Sequence, residues 1–414
     1  MKRVLLFLSF LVVLFPSVAQ GEQENTEVSV LTCSPGDEVY SLYGHTAIRV
    51  RNGNADLVFN YGVFDFNTDY FIWKFVLGQT DYMCAAVPWE YFVREYEERG
   101  SSVTAQVLNL TEVEAEAIRM RLMDNIRPQN RVYRYNYLTN NCTTKVMDLV
   151  EECVDGSLVY SWHEEPVTYR QLLHRYTELH PWAREGNDLL LGAEVDTLLS
   201  HRATCFLPEY YMDALSAAVV RNDFQDTRKL VSRTDTLVGA RKISERTSHE
   251  FPFTPMQLGW GVFAIGFLVM CLELWTHRMF WPLDVLLMLA HGLAGCLILF
   301  VFLFSEHPTL DSNWLVGILN PIPLILLPSV TKAAWHHRTS LWHHFMAVWM
   351  ALYLLFMPWM PQQMCALALP LTAALLTRQI SYILNSSATT DTSSKSVDNG
   401  NAKKENKPKN KKNR

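Results

Sequence analysis

Tyr43-Gly44-His45-Thr46-Ala47-Ile48-Arg49-Val50-Arg51-Asn52-Gly53-Asn54-Ala55-Asp56-Leu57-Val58-Phe59-Asn60-Tyr61-Gly62 reads as two strands joined by a turn. Thr46, Ile48 and Val50 alternate with Ala47, Arg49 and Arg51, and Leu57–Gly62 is a second strand-like run. Asn-Gly between such runs is a strong hairpin signal. A two-residue turn at Asn52-Gly53 pairs Arg51 with Asn54, sets Ile48 opposite Leu57 and Arg49 opposite Asp56, and brings His45 opposite Asn60. A longer turn shifts that register but keeps His45 and Asn60 on one face, because side chains repeat every two residues. Asn60 is therefore the expected group that orients the His45 imidazole.

Helices are expected next. Thr111 with Glu114 forms a capping-box pattern ahead of Ala115–Ile126, and Pro128 ends that segment. Val132-Tyr133-Arg134-Tyr135-Asn136-Tyr137 is aromatic and extended, and Asn140-Asn141-Cys142-Thr143-Thr144 leads into a stretch where Val146, Leu149 and Val150 recur at helical spacing. Cys142 then sits at a helix N-terminus, where unpaired amides and the positive dipole end favour a thiolate and suit an oxyanion. A cysteine at a helix start is more often a small core residue or half of a disulfide. However, the external region holds Cys33, Cys84, Cys142, Cys153 and Cys205, an odd set in an oxidising compartment, so at least one is left unpaired unless a bond joins two chains. With a His and an Asn on one strand face, that parity singles out Cys142 as a nucleophile. The pairing of the other four is not fixed by sequence.

Where the chain lives follows from its apolar segments. Residues 1–19 open with Lys2 and Arg3, run apolar from Val4 to Phe15 and close on Ser17-Val18-Ala19, the pattern of a cleaved secretory signal. No cysteine stands at the expected cleavage point, so the chain does not read as a lipoprotein. Residues 20–254 suffice for one sizeable external domain. From 255 to 385 five apolar stretches of membrane-spanning length are expected, at Met256–Trp275, Trp281–Phe304, Trp314–Val330, Leu341–Met357 and Met364–Leu384. Asn320, Pro321 and Pro323 interrupt the third, and if it is re-entrant rather than spanning, the tail switches sides; with five spans the basic segments sort to one side. Arg278, Lys332, Arg338 and the tail lysines then all face the cytoplasm, as an odd number of spans requires. The tail, 386–414, is Ser, Thr, Asn and Lys rich with almost nothing apolar. Its basic run reads as an anchor for an anionic inner leaflet rather than a nucleic-acid site, although the whole chain carries a net charge of −6. No nucleic-acid motif and no internal repeat of the external region is present.

Other chemistry-bearing residues have plainer readings. Tyr61, Phe64, Phe66, Tyr70, Phe71, Trp73 and Phe75 suit core packing better than an acyl-chain slot. His336-His337 and His343-His344, at the expected cytoplasmic edge, suit interfacial anchoring better than metal or haem ligation. Asp284 and His291, seven residues apart, share a face of one membrane helix, and no role follows from that alone.

Leu31-Thr32-Cys33-Ser34-Pro35-Gly36-Asp37, Tyr43 to Arg49, Asn60-Tyr61-Gly62, Tyr135-Asn136-Tyr137 with Asn141 to Thr144, Thr168-Tyr169-Arg170 and Phe206-Leu207-Pro208 together resemble, in order, the external domain of the Lnb family. The resemblance covers roughly Leu31 to Leu215 and implies a lipoprotein N-acyltransferase with a periplasmic thiol domain ahead of membrane helices. The order of His, a polar residue on the next strand and Cys at a helix start also resembles the permuted papain-like arrangement of lecithin–retinol acyltransferases and NlpC-type enzymes. In the former the middle group is commonly a second His, and here it is Asn60, which fixes the ring tautomer but lacks the charge of a carboxylate.

The expectation is thus an α+β, permuted papain-like external domain followed by an α-helical membrane domain. Cys142 is the nucleophile, His45 the general base and acid, and Asn60 the orienting group. Asn141, Tyr43 and Arg170 are the expected substrate or oxyanion contacts, and no cofactor or metal is called for. A phospholipid is the acyl donor and a diacylated lipoprotein the acceptor. A cell-wall peptidase of the NlpC type and a non-catalytic envelope binding protein are the alternatives. Five spans are superfluous for the first, and the second requires that Cys142→Ala leave function intact.

Overall fold

The computed structural model describes residues 26–64, 69–160, 166–222, 226–240, 251–307, 309–336 and 340–385. The expected signal segment, the tail, Phe66 and His337 lie outside them. Strands β1 (Glu27–Cys33), β2 (His45–Asn52) and β3 (Ala55–Val63) come first, then helix α1 (Phe71–Val76), β4 (Asp81–Pro88), α2 (Trp89–Arg99), β5 (Val103–Leu108), α3 (Glu112–Asn125), β6 (Val132–Arg134) and α4 (Cys142–Cys153). They are followed by β7 (Ser157–Val159), α5 (Tyr169–Tyr176), α6 (Pro181–Leu190), α7 (His201–Thr204), α8 (Pro208–Ala217), β8 (Val219–Arg221), β9 (Thr227–Lys229) and β10 (Val231–Val238).

Seven strands form one antiparallel sheet in the order β10-β5-β1-β2-β3-β4-β6. Its central strands are apolar on both faces because both are covered. Val28, Val30, Ile48, Val50, Phe59 and Tyr61 meet α3, α4 and α8, while Leu31, Ala47, Val58 and Val103 meet Phe92 and Tyr96 of α2. The parity of these positions is the period-two alternation of a strand. The capping box of Thr111 and Glu114 forms in both directions at the start of α3, as its spacing predicts.

The hairpin forms with a different register. Asn52 pairs with Ala55, so the turn is Gly53-Asn54 rather than Asn52-Gly53. Gly53 takes φ 54° at the first turn position, where its lack of a Cβ removes the cost, and the Asn52 amide is held by the Thr26 hydroxyl at 2.6 Å. Each β2 residue consequently faces a β3 residue two places further on: Ile48 lies opposite Phe59, and Asn60 lies opposite Ala47. A shift of two preserves every face, so His45 and Asn60 still point the same way.

The membrane part opens with α9 (Pro255–Thr276) and α10 (Trp281–Phe304). The third apolar segment is broken, as its prolines predict. A 3-10 turn over Trp314–Gly317 stops before Pro321, and α11 (Ile322–Trp335) carries Pro328 inside it. Then come α12 (Leu341–Phe356) and α13, residues 368–385. Among the described residues four helical segments are long and apolar enough to cross a membrane. The fifth helix, α13, carries Arg378, which is 2 % exposed between Glu273 of α9 and Asp284 of α10. Asp284 and His291 do share a buried face, but they serve different neighbours. His291 Nε2 donates to the Ile318 carbonyl at 2.7 Å, one of the acceptors freed where the third segment breaks. The Asn320 backbone packs there against Gly295, whose missing side chain makes the approach possible. His343 is not an interfacial anchor. It is buried, with Nδ1 2.8 Å from Gln379 Oε1 and its ring stacked on Tyr382 at 4.2 Å, whereas His336 and His344 are exposed.

Domain and bundle are joined by polar contacts. Glu306, just past α10, accepts from Arg134 at 2.9 Å and Gln79 at 2.8 Å, and its amide donates to the Leu77 carbonyl. On the other side the buried Glu185 carboxylate accepts from the amides of Ala366 and Leu367 at 3.0 Å each, capping the start of α13 from outside it.

Candidate active site

The polar ends of β2, β3 and α4 converge on one spot. Gly44 precedes β2 at φ 76°, and a side chain there would meet the Cys33 carbonyl. This turn delivers His45 at the strand's first position. Its Nε2 lies 3.0 Å from Asn60 Oδ1, so with Oδ1 accepting, Nε2 carries the proton and Nδ1 is left for the thiol. Cys142 is the first residue of α4 and 9 % exposed, and Thr143 beside it shares a hydrogen bond of 3.1 Å with Thr46 beside His45. Strand and helix are thus fastened at the residues next to the two reactive groups.

The electrostatics of the pair are reciprocal. Burial pushes the Cys142 thiol up, but the charge and hydrogen bond of His45, the Thr46 amide and the Thr143 hydroxyl outweigh it and hold the thiol below its ordinary range. Burial likewise disfavours a charged His45, and the charge of Cys142, its hydrogen bond and that of Asn60 outweigh this and raise the imidazole. Both shifts favour the thiolate–imidazolium form of the pair, in which a cysteine is nucleophilic. Cys33, directly across the β1–β2 ladder from His45, is pushed the other way by burial, as are Cys84, to about 12, and Cys153.

Disulfide parity does not single out Cys142. Cys33, Cys84, Cys142 and Cys153 are free thiols, and Cys205 donates to the carbonyls of His201 and Tyr210 at 3.9 Å each. The polarising neighbours of Cys142 distinguish it instead.

Three expected contacts stand elsewhere or do other work. Asn141 is the N-cap of α4. Its Oδ1 accepts from the amides of Thr143 and Thr144 at 2.9 and 3.0 Å, and its Nδ2 donates to the carbonyls of Tyr137 and Phe206 at 2.9 and 2.8 Å. No side-chain proton remains to meet an oxyanion, and the amides of Thr143 and Thr144 are also committed. The Cys142 amide, at the first helical position, is the donor that α4 itself leaves for one. Tyr43 accepts from Asn187 at 2.6 Å and packs on Tyr176. Arg170 is fully buried, and its guanidinium is shared among Asp188, Asp196 and the carbonyls of Leu191 and Gly192. It ties α5 to α6 and the following turn rather than reaching a substrate. A cleft between Thr168, Gln171, Asp196 and the Met357–Met364 connection contains none of the three site residues.

Residues 19–175 match the Lnb N-terminal periplasmic domain, and residues 246–389 match the Lnb transmembrane domain. The chain belongs to the Lnb family. It is therefore a multi-pass membrane protein with a periplasmic, mixed α+β domain. No curated protein matches this Lnb chain, and no solved structure matches it. Its site also includes residues of the quoted motifs to which the sequence assigns no role. The would-be Cβ of Gly62, at φ 85°, lies 3.2 Å from the Tyr135 ring and 3.9 Å from Cys142 Cβ, so a side chain there would press on the Tyr135 ring beside the thiol-bearing residue. Tyr133 and Tyr135 both lie within electrostatic reach of Cys142. The alternation Tyr133, Tyr135, Tyr137 is visible in the sequence, but only the position of β6 reveals which way it points.

Three described members of the aromatic run are not core. Tyr61 is, with its hydroxyl accepting from Asn125, but Tyr70, Trp73 and Phe75 are 78, 59 and 50 % exposed. Trp73 packs against Phe300 near the outer end of α10, and Phe75 against His307.

Proposed function

We propose that this chain is a lipoprotein N-acyltransferase that carries an acyl chain from a phospholipid to the α-amine of a diacylglyceryl-cysteine through a thioester on Cys142. The observation that supports this most is the polarised His45–Cys142 pair in a domain bonded directly to membrane helices. In the first half-reaction the Cys142 thiolate attacks the phospholipid ester carbonyl, and the tetrahedral oxyanion faces the Cys142 amide. The C–O bond breaks as the His45 imidazolium gives its proton to the leaving lysophospholipid alkoxide. In the second, the acceptor amine attacks the thioester and loses a proton to neutral His45. The C–S bond breaks and the thiolate–imidazolium pair is restored. Amines attack thioesters more readily than oxygen esters, so a thiol suits transfer to nitrogen.

Both substrates are lipids held at a bilayer surface, and tethering the domain there raises their effective concentration. We place the bundle in the inner membrane with the basic tail in the cytoplasm. The test is mass spectrometry of the Cys142 peptide after full-length protein meets phospholipid. The expected result is a fatty-acyl adduct that hydroxylamine removes and that His45→Ala abolishes. An unmodified thiol across several phospholipids would overturn the acyl-enzyme route.

A further inference from the structure

We infer that the acyl chain held on Cys142 lies along an aromatic wall made by Tyr135, Tyr82 and Phe64, which leads from the thiol toward the outer end of α10. This rests on the thioester reading above and specifies where the chain goes. The wall starts at Gly62, where glycine, the Tyr135 ring and Cys142 Cβ converge. Tyr135 is stacked on Tyr82 with ring centres 4.2 Å apart and planes at 25°, and Tyr82 meets Phe64 at 5.1 Å. All three are half-buried, so each keeps an open side. Tyr82 faces Tyr133 across the β4–β6 ladder, on the edge of the sheet.

That edge is also where the domain is fastened to the bilayer-spanning part. Arg134 of β6 bonds Glu306, the Ser305 hydroxyl donates to the Val76 carbonyl at 2.9 Å, and Trp73 packs on Phe300. Exposed tryptophan and tyrosine beside a span end are what a membrane–water interface favours. An apolar track with one end at a nucleophile and the other at the lipid surface fits a hydrocarbon tail and offers little to a peptide.

The test uses alkylation of Cys142, so it does not depend on acyl transfer occurring. Full-length protein in nanodiscs is treated with N-ethylmaleimide and with N-dodecylmaleimide, and adducts on Cys142 are quantified against those on Cys296, a lipid-exposed thiol that corrects for reagent partitioning. The dodecyl reagent is expected to gain at least about tenfold at Cys142 over the ethyl reagent, since each buried methylene adds to binding. Tyr82→Asp and Phe64→Asp should remove that gain while the ethyl rate persists. Phe64→Trp, a milder change, should shift the preference toward shorter chains. Equal chain-length dependence in wild type and all variants, or none in wild type, would overturn the wall. Failure of the acyltransferase reading would show instead as loss of the phospholipid adduct with this dependence intact.

Discussion

Asn60 is the residue at which sequence and structure meet most directly. It was legible because a strand repeats every two residues, so even a wrong turn left it facing His45. The sequence could not show that its Oδ1 would fix the proton on Nε2. An uncharged partner also limits how far the imidazolium is stabilised, so much of the pair's polarity comes from Cys142 itself. Activity should follow a bell in pH. The acid limb reports Cys142, held below the ordinary thiol range, and the alkaline limb reports His45, held above the ordinary imidazole range. Removing the hydrogen bond in Asn60→Ala lowers the pKa of His45, so the alkaline limb should move to lower pH. A bond to a charged group contributes about 1.5–3 kcal/mol, so the rate should also fall about 10- to 100-fold. Rate profiles over pH check both. An unmoved alkaline limb would mean that Asn60 does not act through the ring.

At the scale of the element, the start of α4 was readable as a position but not as a device. Helical spacing puts Cys142 at an N-terminus, where a helix start on its own leaves a set of amides unpaired. Asn141 closes that set by capping the Thr143 and Thr144 amides, and its two donated bonds fasten the helix start to Tyr137 and Phe206. Sequence patterns carry the local half of such a residue, the cap, but not the partner Phe206, which lies 65 residues on. The ion pairs of Arg170 are hidden from the sequence for the same reason, since Asp188 and Asp196 are distant along the chain. Asn141→Ala should lose more than the roughly 1 kcal/mol of an ordinary cap, because two buried carbonyls lose their donor, at about 1–3 kcal/mol each. Asn141→Ser keeps a capping oxygen and loses the donors to both carbonyls, so its melting temperature should fall between those of wild type and Asn141→Ala. Equal melting of all three would show that the amide is not structural.

On the scale of the whole molecule, the site is held by a domain that does not float above its helices. Glu306, Glu185 and Gln362 each reach across the junction, Gln362 Nε2 donating to the Leu191 carbonyl at 3.0 Å. Such contacts transmit the position of the bundle to the thiol only if the bundle itself is fixed. Arg378 is placed to fix it. Its guanidinium lies 2.6 to 3.0 Å from the carboxylates of Glu273 and Asp284, and the Ser381 hydroxyl donates to Glu273 at 2.5 Å, so α9, α10 and α13 meet at one buried charge. Two carboxylates around one guanidinium make the arginine the member whose loss is worst, because its removal leaves both uncompensated. Arg378→Met should therefore cost about 3–5 kcal/mol of stability, seen as earlier thermal aggregation of the detergent-solubilised protein. Adding Glu273→Gln and Asp284→Asn to that variant removes the orphaned charges and should recover most of the loss, although each neutral change alone should cost stability. If the triple variant melts no later than Arg378→Met, the cluster owes its effect to shape rather than charge.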